Sequence, residues 1–85
     1  MNLSQISQQL ITLLSGIIPS YEKSFWHEQT ELFGAIAEFD SMVIVTLIGE
    51  IEEQFDVVLD DDDISAENFE SVASLSQLIY DNIDG

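Results

Sequence analysis

Cysteine and histidine, two residue types common in catalytic sites, are almost absent from this 85-residue chain. The sequence has no cysteine, which excludes a disulfide, a zinc–thiolate site and a thiol nucleophile made by the polypeptide itself. In a serine hydrolase the one histidine, His27, would have to act with Ser41 or another serine. No serine lies in a G-x-S-x-G nucleophile elbow, and Ser41 has no flanking glycines. We therefore predict no catalytic centre and interpret His27 as an ordinary loop residue.

Four consecutive aspartates, Asp60 to Asp63, are the candidate for a metal site. A calcium-binding EF-hand loop needs a glycine at its sixth position and a bidentate glutamate at its twelfth. A loop that begins at Asp60 has Ser65 and Ser71 at these two positions. A loop that begins four residues earlier has an aspartate in place of the glycine, so it fails as well. The aspartate run is therefore predicted to be a solvated acidic link without a metal site.

The charge of the chain excludes several classes of partner. The chain has seventeen acidic residues and one basic residue, Lys23, so its formal net charge is -16. Such a chain cannot neutralise the phosphates of a nucleic acid, and an anionic membrane surface repels it. Because 46% of the residues are hydrophobic, a disordered acidic tail is disfavoured as well. A small folded domain with basic partners remains.

The apolar pattern predicts an all-α protein. Leucines and isoleucines at spacings of three and four predict a first helix over residues 3–16, ended by Gly16 and Pro19. Residues 18–39 are predicted to form a long ordered loop, with at most one helical turn. Helices are then predicted over 41–55, over a short stretch near 65–68, and over 71–83. The expected architecture is a small four-helix bundle, with three main helices and one short one, in a single domain over 1–85.

Nothing in the sequence predicts export or membrane insertion. The first residues are apolar in places, but they have no basic segment before the apolar one, so they are not typical of a signal peptide. No apolar run approaches the roughly 18 residues that a transmembrane helix needs. We therefore expect a cytoplasmic protein.

The central helix carries two apolar stripes, of which a surface helix in a small bundle needs one. The first is suited to burial and consists of Ile44, Leu47, Ile48, Ile51 and Phe55. The second lies on another face and consists of Met42, Val45, Thr46, Gly49 and Glu53. Near its start this second stripe is apolar, and further along it is surrounded by carboxylates. Two interpretations are open: a contact surface for a basic partner, or a second buried face.

Two motifs lie at the ends of this central helix. Asp40-Ser41-Met42 stands at its start, where aspartate and serine are good N-cap residues, and Glu52-Glu53-Gln54-Phe55 stands at its end. With these motifs the segment EFDSMVIVTLIGEIEEQFDVVLDD resembles the core of acyl carrier proteins, which have D-S-(L/M) and E-E-x-F at the same places. The resemblance covers residues 31–83, and the first helix agrees in length and apolar spacing.

The resemblance implies a function and a set of residues. Ser41 would receive 4'-phosphopantetheine from coenzyme A through a phosphopantetheinyl transferase, and Asp40 would help to orient it. The arm would supply the thiol that the chain lacks and would carry acyl or aminoacyl groups as thioesters. Met42, Val45, Thr46, Glu52 and Glu53 match positions that the family presents to partners. Those partners would be acyl-loading and acyl-transferring enzymes with basic docking patches, and the carrier would act as a monomer.

Two departures from the family pattern point to a specialised carrier rather than the housekeeping one of fatty-acid synthesis. Glu38 stands where many members have glycine, and Val43 and Ile44 stand where fatty-acid carriers often have polar or acidic residues. Carriers for a secondary metabolite, for lipid modification and for D-alanyl groups remain open.

The alternative hypothesis is an unmodified acidic helical module that binds other proteins, in which Ser41 only caps the helix. On that hypothesis, replacing Ser41 with alanine costs about 1 kcal/mol of stability and leaves partner binding intact. Three aromatic residues, Phe25, Trp26 and Phe33, lie in the predicted loop. We expect their side chains to pack against the core rather than to form a surface for cargo or partners.

Overall fold

Three α-helices joined by two long connections form the protein. The structure is a computed structural model that describes residues 2–37 and 39–84, for residue 84 the backbone alone. The helices are α1 (Leu3–Ile17), α2 (Ser41–Phe55) and α3 (Val72–Asp84). Two short 3-10 helices lie in the connections, at Lys23–Phe25 and at Asp61–Asp63. The predicted all-α bundle is confirmed, with its fourth, short helix reduced to these single turns.

The first helix begins and ends where local chemistry requires. Asn2 accepts a hydrogen bond from the Gln5 amide at 2.8 Å, and the Gln5 side chain accepts one from the Asn2 amide at 3.0 Å. This reciprocal pair satisfies two amides that a helix start leaves open. At the other end, Pro19 disfavours helical geometry at Ile18, so α1 ends at Ile17, one residue later than predicted.

The core lies between the apolar faces of the three helices. Helix α1 contributes Ile6, Leu10 and Leu14, α2 contributes Leu47, Ile51 and Phe55, and α3 contributes Val72, Leu75, Leu78 and Ile79. One polar contact is enclosed with them, in which the Ser7 hydroxyl donates to the Ser76 Oγ at 3.0 Å. Near the end of α3, Ile83 lies outside this core and is 37% exposed.

The loop between α1 and α2 is held against the start of α3. Leu32 donates to the Glu70 carbonyl at 2.7 Å, and a single antiparallel bridge joins Glu31 to Ser71. The carbonyl of Thr30 accepts from the Val72 amide at 3.0 Å. Loop carbonyls therefore satisfy amides that the first turn of α3 leaves open. This confirms the ordered loop that the sequence predicted.

The short helix between α2 and α3 was predicted at the wrong residues. The helical turn is Asp61–Asp63, and residues 65–68 form a bend followed by turns instead. Asp60 and Asp63 hold the earlier turn, since the Asp60 amide donates to Asp63 Oδ2 at 3.1 Å and the Asp63 amide donates to the Asp60 carbonyl at 2.9 Å. This reciprocal pair of hydrogen bonds favours the earlier turn. Further along, Asn68 donates its side-chain N–H to the Asp63 carbonyl at 2.8 Å.

The loop aromatics divide into a buried and an exposed set. Trp26 is buried, as expected. Phe25 and Phe33 were expected to pack against the core as well, but they are 42% and 49% exposed. Phe25 lies in a cluster with the ring of Tyr21, at a centroid distance of 4.5 Å, and packs edge-on against Trp26 at 5.2 Å. Each ring therefore covers part of its neighbour, and the rest of the Phe25 side chain is exposed.

Within the described residues, no helix is both long enough and apolar enough to cross a bilayer.

Candidate functional site

The candidate site is the N-terminus of α2. Asp40 is the N-cap, with extended backbone, and its Oδ1 accepts a hydrogen bond from the Val43 amide at 3.1 Å. The Asp40 carbonyl accepts from the Ile44 amide at 2.9 Å, which is the first helical hydrogen bond. The carboxylate is therefore fixed by the helix start, and its negative charge lies at the positive end of the macrodipole.

Ser41 is the first residue of the helix and is exposed. Within the described residues its hydroxyl makes no hydrogen bond, and the backbone amides of Ser41 and Met42 donate to no acceptor. An exposed hydroxyl is thus placed beside open amides at a helix N-terminus. Such amides, together with the macrodipole, are a favourable setting for a phosphate group.

This arrangement corrects one part of the alternative hypothesis. Asp40, rather than Ser41, supplies the side chain that caps α2. The reason is geometric: an N-cap residue has extended backbone and can reach the amide three residues ahead, whereas Ser41 is already helical. The Ser41 side chain therefore has no capping role in this structure.

The second stripe of α2 is exposed. Met42 and Val45 have 79% and 69% of their surfaces open to solvent, and Thr46, Gly49 and Glu53 are exposed as well. On the other face of the helix Leu47 and Ile51 are fully buried. The interpretation that both stripes are core is therefore wrong. The structure brings Met42, Val45, Thr46 and Glu53 together on one open surface, which we call the α2 face.

Glu52 differs from the other predicted partner-binding residues. It is partly buried, and its Oε2 accepts a hydrogen bond from the Leu59 amide at 3.0 Å. The bond ties the last turn of α2 to the chain that leaves it, because Leu59 is itself buried. The sequence motif marks Glu52 and Glu53 alike, and only the tertiary contact separates them.

The remaining sequence candidates form no site of their own. His27 is an exposed loop residue whose Nδ1 accepts from the Gln29 amide at 3.2 Å. Among the described residues, no three histidine, aspartate or glutamate side chains are grouped so as to hold a metal ion. Glu38, the departure from the family pattern, lies outside the described residues.

Comparison with known proteins identifies the family of this chain. The family model for the phosphopantetheine attachment site matches residues 8–79. A solution structure of a holo acyl carrier protein from Nitrosomonas europaea is 32% identical and superposes with a TM-score of 0.84. The match covers 95% of this chain and 99% of that one. The chain belongs to the acyl carrier protein family. None of the curated proteins matches it.

As an acyl carrier protein, the chain is a non-enzymatic carrier with a covalently attached 4'-phosphopantetheine. It interacts with the enzymes that modify it and that handle its acyl groups. The residues at the start of α2 fit this group, because an exposed hydroxyl lies beside open amides that favour its phosphate. When bound, the group supplies a thiol for thioester formation.

Proposed function

We propose that Ser41 is the attachment residue of this carrier. The Ser41 Oγ forms a bond to the phosphorus that bears the pantetheine of coenzyme A, while the pyrophosphate bond of coenzyme A breaks and adenosine 3',5'-bisphosphate leaves. The hydroxyl proton leaves to the transferase, and Asp40 keeps Ser41 oriented. The carrier then presents acyl or aminoacyl thioesters to its partner enzymes. Covalent tethering raises the local concentration of cargo at each of them.

The observation that carries this proposal is the free hydroxyl of Ser41 at the helix start. Ser4 offers a matched comparison, since it lies in the first turn of α1 and is exposed as well. Ser4, however, is not preceded by an aspartate or followed by methionine. The two serines share the physical setting of a helix N-terminus and differ in the motif that a transferase reads.

The test is the intact mass after incubation with coenzyme A, Mg²⁺ and a promiscuous phosphopantetheinyl transferase. We expect wild type and the Ser4→Ala variant to gain one phosphopantetheine group, and Ser41→Ala to gain none. No gain in wild type, or a gain that survives Ser41→Ala, contradicts the assignment. The first of these results favours the unmodified protein-binding module instead.

We also propose that partners dock on the α2 face. Its apolar part, Met42 and Val45, supplies contact area, and its acidic part supplies attraction to a basic patch. Thr46 lies within the same surface. Glu52 contributes charge from a fixed position, because its carboxylate is held by Leu59. The net charge of -16 steers the encounter with basic enzymes.

Charge reversal on the α2 face tests this docking surface. Glu53→Lys is expected to slow modification by the transferase about two- to fivefold at low salt, the equivalent of about 0.5–1 kcal/mol. The matched control is Glu67→Lys, which makes the same change at an exposed residue of the turn before α3. Equal slowing by both variants would show that only net charge matters and would remove the α2 face from the proposal.

The specialised carrier indicated by Val43 and Ile44 is retained in this proposal, with an acyl or aminoacyl cargo. We further propose that it acts as a cytoplasmic monomer made of one domain.

A further inference from the structure

A groove of about 410 Å³ lies along the loop between α1 and α2. Its apolar lining is Phe25, Ala35 and Ile36. Phe25 is held in place by its stacking on Tyr21 and its edge contact with Trp26. The exposed part of this ring is therefore held in a fixed position in the groove.

The polar lining of the groove consists of His27, Gln29, Thr30 and Glu31. Because His27 Nδ1 accepts from the Gln29 amide, the neutral ring carries its proton on Nε2, which is then a donor. Thr30 is buried, and its Oγ1 accepts a hydrogen bond from the His27 amide at 2.9 Å, which holds the loop backbone between these two residues in place. The exposed carboxylate of Glu31 adds an acceptor. Hydrogen-bond donors and acceptors and apolar side chains therefore line the same groove.

The groove lies close to Ser41 along the chain. The Phe39 amide donates to the Ile36 carbonyl at 3.0 Å, which closes a turn between the groove and the cap of α2. Ser41 is two residues after Phe39, so the backbone of Ser41 lies within about 10 Å of the Ile36 carbonyl. A phosphopantetheine arm is about 15 Å long when extended, at the roughly 3.5 Å that a chain gains per three bonds. The arm on Ser41 can therefore reach the groove.

The charge of the chain and the mixed polarity of the groove both favour the prosthetic arm as the ligand of the groove. Around this chain, with its net charge of -16, an anionic ligand is repelled. Beyond its phosphate the arm is neutral, and it alternates methyl and methylene groups with two amides and a hydroxyl. The hydrocarbon groups match the apolar lining residues, and the amides and hydroxyl match the polar ones. The phosphate itself stays at the N-terminus of α2.

We propose that this groove holds the thiol-bearing half of the prosthetic arm when no partner enzyme is docked. Phe25, Ala35 and Ile36 cover its hydrocarbon groups, and the side chains of His27, Gln29 and Glu31 bond its amides. The inference rests on attachment at Ser41. It assigns the α1–α2 loop the role of sheltering the arm between transfers, apart from the α2 face on which partners dock.

The experiment uses the holo protein with a nitroxide joined to the arm by a disulfide. Since the chain has no cysteine, only the arm thiol reacts. Intact mass first verifies one arm and one label, which separates a failure of attachment from a failure of the groove. Paramagnetic relaxation of backbone amides is then measured by NMR. We expect stronger broadening at Thr30, Glu31 and Ile36 than at Met42, although Met42 adjoins the attachment residue.

Two variants test whether the groove itself causes this broadening. Phe25→Ala is expected to abolish the preference for the groove, while Phe33→Ala, an equally exposed ring that does not line it, leaves the preference intact. Gln29→Ala, at an exposed position, is expected to weaken it without affecting the fold, in case Phe25→Ala disturbs the loop. Broadening that is centred on Met42 in labelled wild type, or that persists in both groove variants, overturns the proposal.

Discussion

At the scale of the residue, Asp40 and Ser41 have different roles at the start of α2. Asp40 holds the Val43 amide at 3.1 Å and so stabilises α2, whereas the Ser41 hydroxyl makes no bond within the described residues. A side chain that contributes little to stability can be modified at little cost to the fold. Stability and proposed chemistry are therefore assigned to neighbouring residues.

Substitution at these two positions should separate the two roles. We expect Asp40→Ala to lower the free energy of unfolding by about 1 kcal/mol through loss of the cap, and Ser41→Ala to change it by less than about 0.5 kcal/mol. Urea unfolding followed by circular dichroism measures both. Asp40→Asn is the control, because an amide oxygen also caps a helix. If Ser41→Ala were the more damaging of the two, the serine would be the cap after all.

At the scale of the element, α2 ends on a residue in an unfavourable conformation. Asp56 is the C-cap, in the left-handed region at φ 56° and ψ 49°. Its carboxylate also lies at the negative end of the helix macrodipole, which favours cations. The hydrogen bond from the Leu59 amide to Glu52 holds the chain just beyond this point. Tertiary contacts thus maintain a helix end that local preference would not choose.

Relief of this helix end should stabilise the protein. We expect Asp56→Gly to raise the free energy of unfolding by about 0.5–1 kcal/mol, since glycine adopts the left-handed conformation without strain and removes the charge. Asp56→Asn removes only the charge, so the difference between the two variants isolates the backbone contribution. Chemical denaturation provides the values. A glycine variant less stable than wild type would mean that the Asp56 side chain makes a stabilising contact.

At the scale of the whole molecule, the helices fold despite strong mutual repulsion of carboxylates. Seventeen acidic residues and one lysine share a chain of 85 residues. The apolar core offsets this repulsion, and the excess charge remains available to steer basic partners. Salt screens such repulsion over about 10 Å at 0.1 M.

Stability should consequently rise with ionic strength. We expect the melting temperature to increase between low and moderate NaCl, with a smaller increase for a double variant, Asp61→Asn with Asp62→Asn. Both of these aspartates are exposed. Differential scanning calorimetry gives the two slopes. A wild-type melting temperature that does not move with salt would show that the charges are too far apart, or too well solvated, to oppose folding.

The sequence by itself determined the three main helices and the family. Apolar spacing of three and four depends on neighbours along the chain, so it located α2 at the residues observed and α1 to within one residue. The Asp40-Ser41-Met42 and E-E-x-F motifs are local as well, and the family to which they pointed is the one whose model matches residues 8–79.

Only the tertiary structure decided which faces stay open and which polar groups are engaged. The exposure of Met42 and Val45 depends on where α1 and α3 pack, and the difference between Glu52 and Glu53 depends on the amide of Leu59. The groove exists because the α1–α2 loop is bonded to the start of α3, at residues far apart in sequence. The spacing of apolar residues depends only on neighbours along one helix. It therefore cannot predict contacts between residues that are far apart in the sequence.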